Sequence, residues 1–322
     1  MSMQNLDNRM KILVTAIGSM SAECVIKRLK ERNHTIVGCD IYPGEWHYET
    51  TLCDVFFRAP FATDENTYIQ FLLDKCQNEH IDCILPLTDL EIDVINRHRS
   101  SFEQRSILLA MQSKEVLEVA RNKYLIYHRF ANDPEVPTVK TFLLSELPDD
   151  FNFPCIAKPV GGRSSEGLIR NATKSLLKTI NEKESYIVQE QLNGSVFTVD
   201  YVRSTKTNTD VALPREELLR TKNGAGLTVR MVKDPNLIQL TSYIGKNLNI
   251  NGCVNMEFIH NQNRYYLIDI NPRFSAGVAF SDLAGYDMVT NHMNCFMDKP
   301  IDKQITIEER ILIKKYIEII NA

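Results

Sequence analysis

The sequence has no basic surplus. Its 37 Lys and Arg stand against 41 Asp and Glu, a formal net charge of −4. It therefore lacks the cationic excess by which proteins coat nucleic acid, and no nucleic-acid partner is expected. The eight cysteines, at 24, 39, 53, 76, 83, 155, 253 and 295, form no CxxC pair, which disfavours zinc ribbons and thioredoxin-type motifs. No apolar run approaches the roughly 18 residues of a spanning helix. The first ten residues are polar and lack a signal-type apolar region. The expectation is a cytoplasmic protein without a membrane partner, most of its free thiols packed as small hydrophobes. Low-complexity segments and internal repeats are absent, and no His pairs with a Cys or Ser in a nucleophile motif of the hydrolase kind.

What is present is a globular composition, 43% hydrophobic and 24% charged over 322 residues, long enough for two or three domains. KILVTAIG at 11–18 reads as a buried strand ending in a glycine turn. Residues 20–32 carry helical apolar spacing through Ala22, Val25, Ile26 and Leu29. TIVGCDIYP is a second strand, 64–78 a helix, and IDCILPL at 81–87 another strand. This alternation predicts a parallel α/β domain over about the first 110 residues. It resembles a Rossmann unit, but the turn TAIGSMSAE has one glycine where G-x-G-x-x-G needs three. That mismatch argues against NAD.

Further on, FPCIAKPVGGRSSEGLIR reads as a strand, a Gly/Ser loop and a strand, with a helix over 173–183. YIVQEQLNGSVFTVDYV reads as two strands turning at Asn193-Gly194, and a helix is expected near 235–249. CVNMEFIHNQNRYYLIDINPR reads as a hairpin turning near Asn261–Asn263. Residues 305–322 fit strands or helix equally. Tyr42, Trp46 and Tyr48 form a cluster near a loop, for which packing is the favoured reading over ring binding.

Two segments carry chemistry. In the loop GGRSSEG at 161–167, glycines free backbone N–H groups to point at phosphate oxygens, and Lys158 just upstream can reach the same oxygens. It is not a Walker A loop, because Leu-Ile follows where Lys and Ser or Thr are needed. An ordinary hairpin loop is the alternative. The second segment holds Glu257, Asp269 and Asn271. Asp269 and Asn271 are two apart and share a strand face, with Glu257 across the hairpin. Two carboxylates and an amide oxygen are hard ligands suited to Mg²⁺. Arg273 follows on the same face, placed to stabilise an oxyanion or phosphoryl group.

Taken together, Asn122-Lys123, the strand IAKP with its Gly/Ser loop, VQEQLNG, and MEF with DINPR resemble the ATP-grasp superfamily. The nearest likeness is its carbamoyl-phosphate-synthase-like group of carboxylate–amine ligases. The resemblance implies a Rossmann-like pre-ATP-grasp domain (1–112), then a small lid subdomain (113–185) and a C-terminal subdomain with the metal site (186–322). It implies ATP and Mg²⁺, with Mn²⁺ as an alternative ion. Lys123, Lys158, Gly161, Gly162, Ser164, Ser165 and Gly167 would contact phosphates. Gln189, Glu190 and Leu192 would receive adenine. Glu257, Asp269 and Asn271 would hold the metal. Arg273, with Lys222 and Arg230, would act on the phosphoryl or acyl phosphate.

One departure stands out: Val196 occupies the position where the family often has a ribose-binding Glu, leaving Asp200 as a substitute. The implied reaction joins a small-molecule carboxylate to an amine through an acyl phosphate. Substrate contacts are sought at Thr88, Asp89 and Glu91, at a strand's C-terminal edge, although acids also favour a helix's first turn. Arg215 is a further carboxylate-binding candidate, with i,i+4 helical pairing as the alternative. A kinase-like phosphotransferase and a non-catalytic nucleotide-binding protein are the competing functions, and by analogy the chain is a homodimer.

Overall fold

The structure is a computed structural model that describes residues 9–163 and 165–320. The first unit is a five-stranded parallel sheet, β1 (Lys11–Thr15), β2 (Thr35–Asp40), β3 (Val55–Arg58), β4 (Cys83–Leu85) and β5 (Leu108–Leu109), in the order β3-β2-β1-β4-β5. Ile12, Leu13 and Val14 of central β1 are fully buried, as expected for a strand covered on both faces. The helices are α1 (Ala22–Glu31), α2 (Glu65–Asn78), α3 (Asp89–Arg97) and α4 (Arg99–Glu103). α1 buries the expected Ala22, Val25, Ile26 and Leu29, each large apolar side chain contributing roughly 1.5–3 kcal/mol.

Two helices follow, α5 (Lys114–Ala120) and α6 (Lys123–Phe130). Asn122 caps α6 by accepting from Tyr124 N and Leu125 N, which fixes Lys123 at the first helical position. A four-stranded antiparallel sheet comes next, with β6 (Thr141–Leu143), β7 (Cys155–Pro159), β8 (Ile169–Ala172) and β9 (Tyr186–Glu190) in the order β6-β9-β7-β8. The expected helix over 173–183 shrinks to α7 (Lys174–Leu177).

The largest sheet has six antiparallel strands: β10 (Ser195–Ser204), β11 (Thr209–Arg220), β12 (Gly226–Met231), β13 (Gly252–Asn261), β14 (Arg264–Asn271) and β15 (Ile311–Ile313). Their order is β14-β13-β10-β11-β12-β15. α8 (Pro235–Asn247), α9 (Val278–Leu283) and α10 (Met288–Phe296) complete the chain. β9 and β10 belong to different sheets, so Asn193-Gly194 is a crossover rather than a hairpin turn, and sheet membership carries the middle unit to Glu190. α5 and α6 pack through Val116, Ala120, Ile126 and Phe130 into the core of the large sheet.

All eight cysteines are free and six are buried. The aromatic cluster is not core: Trp46 is 68% exposed and stacks on Tyr42 at 5.9 Å. Among the described residues no helix is long and apolar enough to cross a membrane.

Candidate active site

A cavity of about 700 Å³ is lined by strand residues of the four- and six-stranded sheets and, from the first unit, by the loop after β1 and the start of α3. Its floor is the β13–β14 hairpin. Glu257 and Asp269 are register partners across it, and Asn255 pairs with Asn271 in the same way. The period-2 reasoning therefore holds: Glu257, Asp269 and Asn271 all line the cavity. Asn271 Nδ2 donates to Asn255 Oδ1 at 3.0 Å, which leaves the Asn271 side-chain oxygen available as an acceptor. Among the described residues no three His, Cys, Asp or Glu side chains converge as a closed metal cage. Two carboxylates plus an amide nonetheless fit Mg²⁺, which completes its shell with water and substrate phosphates.

The lysines converge on this floor. Lys123 Nζ lies 3.3 Å from Asp269 Oδ2 and donates to Gly162 O at 2.8 Å. Lys158, on β7, donates to Ile268 O at 3.2 Å. Burial pushes the Lys158 ammonium down to about 8, against the attraction of Asp269 and Glu257. Gly162 and Ser165 line the cavity, while Gly161 and Gly167 do not; Ser164 lies outside the described residues. Gly167 has φ +69°, and a Cβ there would meet Pro159 Cγ at 2.7 Å, so its role is to turn the loop. At the other end, Gln189, Glu190 and Leu192 line the cavity, as does Val196. Gln189 is held by donating to Thr141 Oγ1 at 2.7 Å.

Arg273 donates through Nη2 to Asp89 Oδ2 at 2.8 Å and through Nη1 to Phe274 O at 3.1 Å. Thr88 and Asp89 also line the cavity. Burial alone would raise the Asp89 pKa, but Arg273, Arg121 and Lys123 outweigh it and hold the carboxyl below its usual range.

Several expected residues lie elsewhere. Glu91 is absent from the cavity lining. It is buried in the first unit, accepting from Thr15 Oγ1, Tyr68 OH and Thr88 Oγ1 at 2.8, 2.9 and 2.6 Å, with its pKa raised by burial. Asp200 is fully buried on β10 and absent from the cavity lining, accepting from Arg215 and Ser281, and is no substitute for the ribose contact. Arg230 is absent from the lining and pairs with Glu216 at 3.1 Å on a partly exposed strand face. Lys222 is exposed and also outside the lining. Arg215 does line the cavity, but from strand β11 rather than a helix.

The cation that sequence reasoning missed is Arg220. Its Nη2 lies 3.1 Å from Glu257 Oε2, and its Nε donates to Gly224 O at 2.6 Å. Plain alternation from Arg215 and Glu217 would turn Leu219 inward. The β11–β12 register instead shifts between Glu217 and Leu219 and again before Arg220. Leu218 and Leu219 are then both exposed, and Arg220 takes the inward position.

Residues 12–110 match the family "PylC-like, N-terminal domain". Residues 182–318 match "ATP-grasp in the biosynthetic pathway with Ter operon". The chain has the ATP-grasp fold. Biotin carboxylase of Campylobacter jejuni superposes on this chain with TM-score 0.78 at 15% identity, covering 96% of this chain and 76% of that one. N5-carboxyaminoimidazole synthetase of Staphylococcus aureus, solved with ADP, gives 0.71 at 14%, covering 94% and 82%. An uncharacterized protein of Methanocaldococcus jannaschii is 24% identical over 217 residues, 65% of this chain. The match spans about half, 53%, of that relative's length.

Proposed function

We propose that this ATP-grasp protein is an ATP-dependent carboxylate–amine ligase that works through an acyl phosphate, releasing ADP and phosphate. The observation that carries the reading is the pairing of Glu257 with Asp269 beneath Lys123 and Lys158, with Arg273 in the same cavity. Glu257, Asp269 and Asn271 would hold Mg²⁺, which supplies charge neutralisation to the phosphate oxygens when bound. The family match over 182–318 and the ADP-bound synthetase with the same fold support it.

Each residue has a part. Lys123 and Lys158 receive the polyphosphate and position it for in-line attack by the acid's carboxylate. The 161–167 loop, through Gly162 and Ser165, closes over the phosphates opposite the Gly224 turn. Gln189, Glu190 and Leu192 hold the base. Asp89 orients Arg273, whose remaining N–H donors hold the acid and then the developing oxyanion.

The test is ADP and phosphate release from Mg·ATP against amino acids, dipeptides, amino sugars and small carboxylic acids, singly and in pairs, with mass detection. A product equal to acid plus amine minus water is expected. A product heavier by a phosphoryl group would replace the ligase with a kinase.

A further inference from the structure

Glu217 sits on the same cavity wall and has no part in the scheme above. Its side chain is 2% exposed. Oε1 accepts from Arg215 Nε at 3.2 Å, while Oε2 is buried and has no hydrogen-bond partner among the described residues. An unsatisfied buried carboxylate oxygen is costly, and a donor arriving with a ligand removes that cost. The space around it depends on a glycine: a Cβ on Gly226 would lie 2.3 Å from Oε2.

Arg215 is not free to bind a ligand in place of Glu217. It donates to Asp200 Oδ2 at 2.8 Å, Ser275 Oγ at 3.0 Å and Glu217 at 3.2 Å. Its work is to hold the carboxylate in place. Through Ser275 the pair is tied to the segment that follows Arg273, so Glu217 faces the acyl end of the cavity. Lys314, which donates to Ala276 O at 2.6 Å, brings a second positive charge. Arg215 and Lys314 thus balance Asp200 and Glu217, and the pocket favours an uncharged donor over an ammonium ion.

We infer that Glu217 receives the nucleophile: its Oε2 accepts an N–H of a neutral primary or secondary amine and takes the proton the nitrogen sheds. This rests on the ligase reading. The amine nitrogen forms a bond to the acyl carbon. The bond from that carbon to the phosphate oxygen breaks, and phosphate leaves with its electron pair. The nitrogen's proton passes to Glu217 Oε2 and from there to the departing phosphate.

Hydroxylamine in excess separates the two halves, because it captures an acyl phosphate as a hydroxamate from solution. Full-length wild type and Glu217→Gln are compared with Mg·ATP and each carboxylic acid, with hydroxylamine or with an amino acid as the amine. The Gln variant keeps the side chain's shape and its Oε1 contact to Arg215. The ratio of amide to hydroxamate should fall at least about 10²-fold in Glu217→Gln, the range of a lost general base. Gly226→Ala, which drives the carboxylate from its place, should move the ratio in the same direction. An unchanged ratio in both variants, whether through equal activity or proportionate loss, overturns the assignment. Wild type that forms no hydroxamate with any acid, despite binding Mg·ATP, brings down the ligase reading and this assignment with it.

Discussion

Asp89 and Arg273, 184 residues apart in the chain, meet at 2.8 Å inside the cavity. Asp89 opens α3 of the first unit, and Arg273 follows the last strand of the floor. The contact joins the two units that resemblance alone treats as separate. The Asp89 side chain is 3% exposed, with Arg121 at 3.5 Å as a second cation.

Asp89→Asn should cost about 3 kcal/mol at neutral pH, because it leaves Arg273 without its buried counter-charge, while Arg121 keeps Asp93 at 2.9 Å. The folded-state pKa of Asp89 is depressed. Its stabilisation is therefore fully present above the unfolded value of about 3.9 and is lost as pH falls through the lower folded value. Urea unfolding from pH 7 to pH 3 should show the gap between wild type and variant narrowing only below about pH 4.

Lys158 shows the opposite tension. Its folded pKa is depressed to about 8 by burial, so the buried ammonium opposes folding below that value. Stability gained from losing the proton should grow between about pH 8 and the unfolded value near 10.4. Lys158→Met should raise the melting temperature at pH 7 while weakening Mg·ADP binding by about tenfold or more, the worth of one charge-assisted bond. Calorimetric titration alongside thermal unfolding reads both. Unchanged nucleotide affinity would remove Lys158 from the phosphate site.

Glu257→Gln should abolish turnover, with a loss of at least about 10²-fold, since a neutral amide cannot replace a carboxylate on Mg²⁺. Wild-type ADP release by that variant would dismiss the metal assignment.

Arg220→Ala should lower turnover by tenfold or more, on the order of the 1.4 kcal/mol that one such contact supplies. Lys222→Ala and Arg230→Ala should stay close to wild type. Steady-state kinetics on the three variants decides whether the inward cation is Arg220 or one of the two outside the cavity.

Arg215→Met should destabilise the fold by about 3–5 kcal/mol, because Asp200 and Glu217 would both be left charged and buried. Its guanidinium, 2% exposed, is the sole cation within salt-bridge distance of either acid among the described residues. Denaturant midpoints of wild type and variant give the value.

The hairpin carrying Glu257, Asp269 and Asn271 was readable because strand alternation alone sets the face that the three share. The parallel sheet of the first unit was readable from uninterrupted apolar strands alternating with helical spacing. Glu91 and Asp200 were misplaced for one reason. An acid's spacing says which face it shares, while its burial depends on partners far away in sequence, such as Tyr68 and Arg215. The exposed Trp46 was read as core because aromatic content carries no information about which side of a loop faces solvent. Residues 305–320 stayed ambiguous because their one strand, Ile311–Ile313, exists only by pairing with β12.

The irregular pairing at Leu218–Leu219 makes the site a matter of counting as well as of composition. A regular strand of the same length would turn Leu219 inward and carry Arg220 to the outer face, with every side chain of the cavity still present in the sequence. Relatives that differ only in pairing register at this point would look alike when compared motif by motif and yet turn different charges into the cavity. The register between Glu217 and Arg220 therefore decides which charge the cavity receives, as much as the residues themselves do.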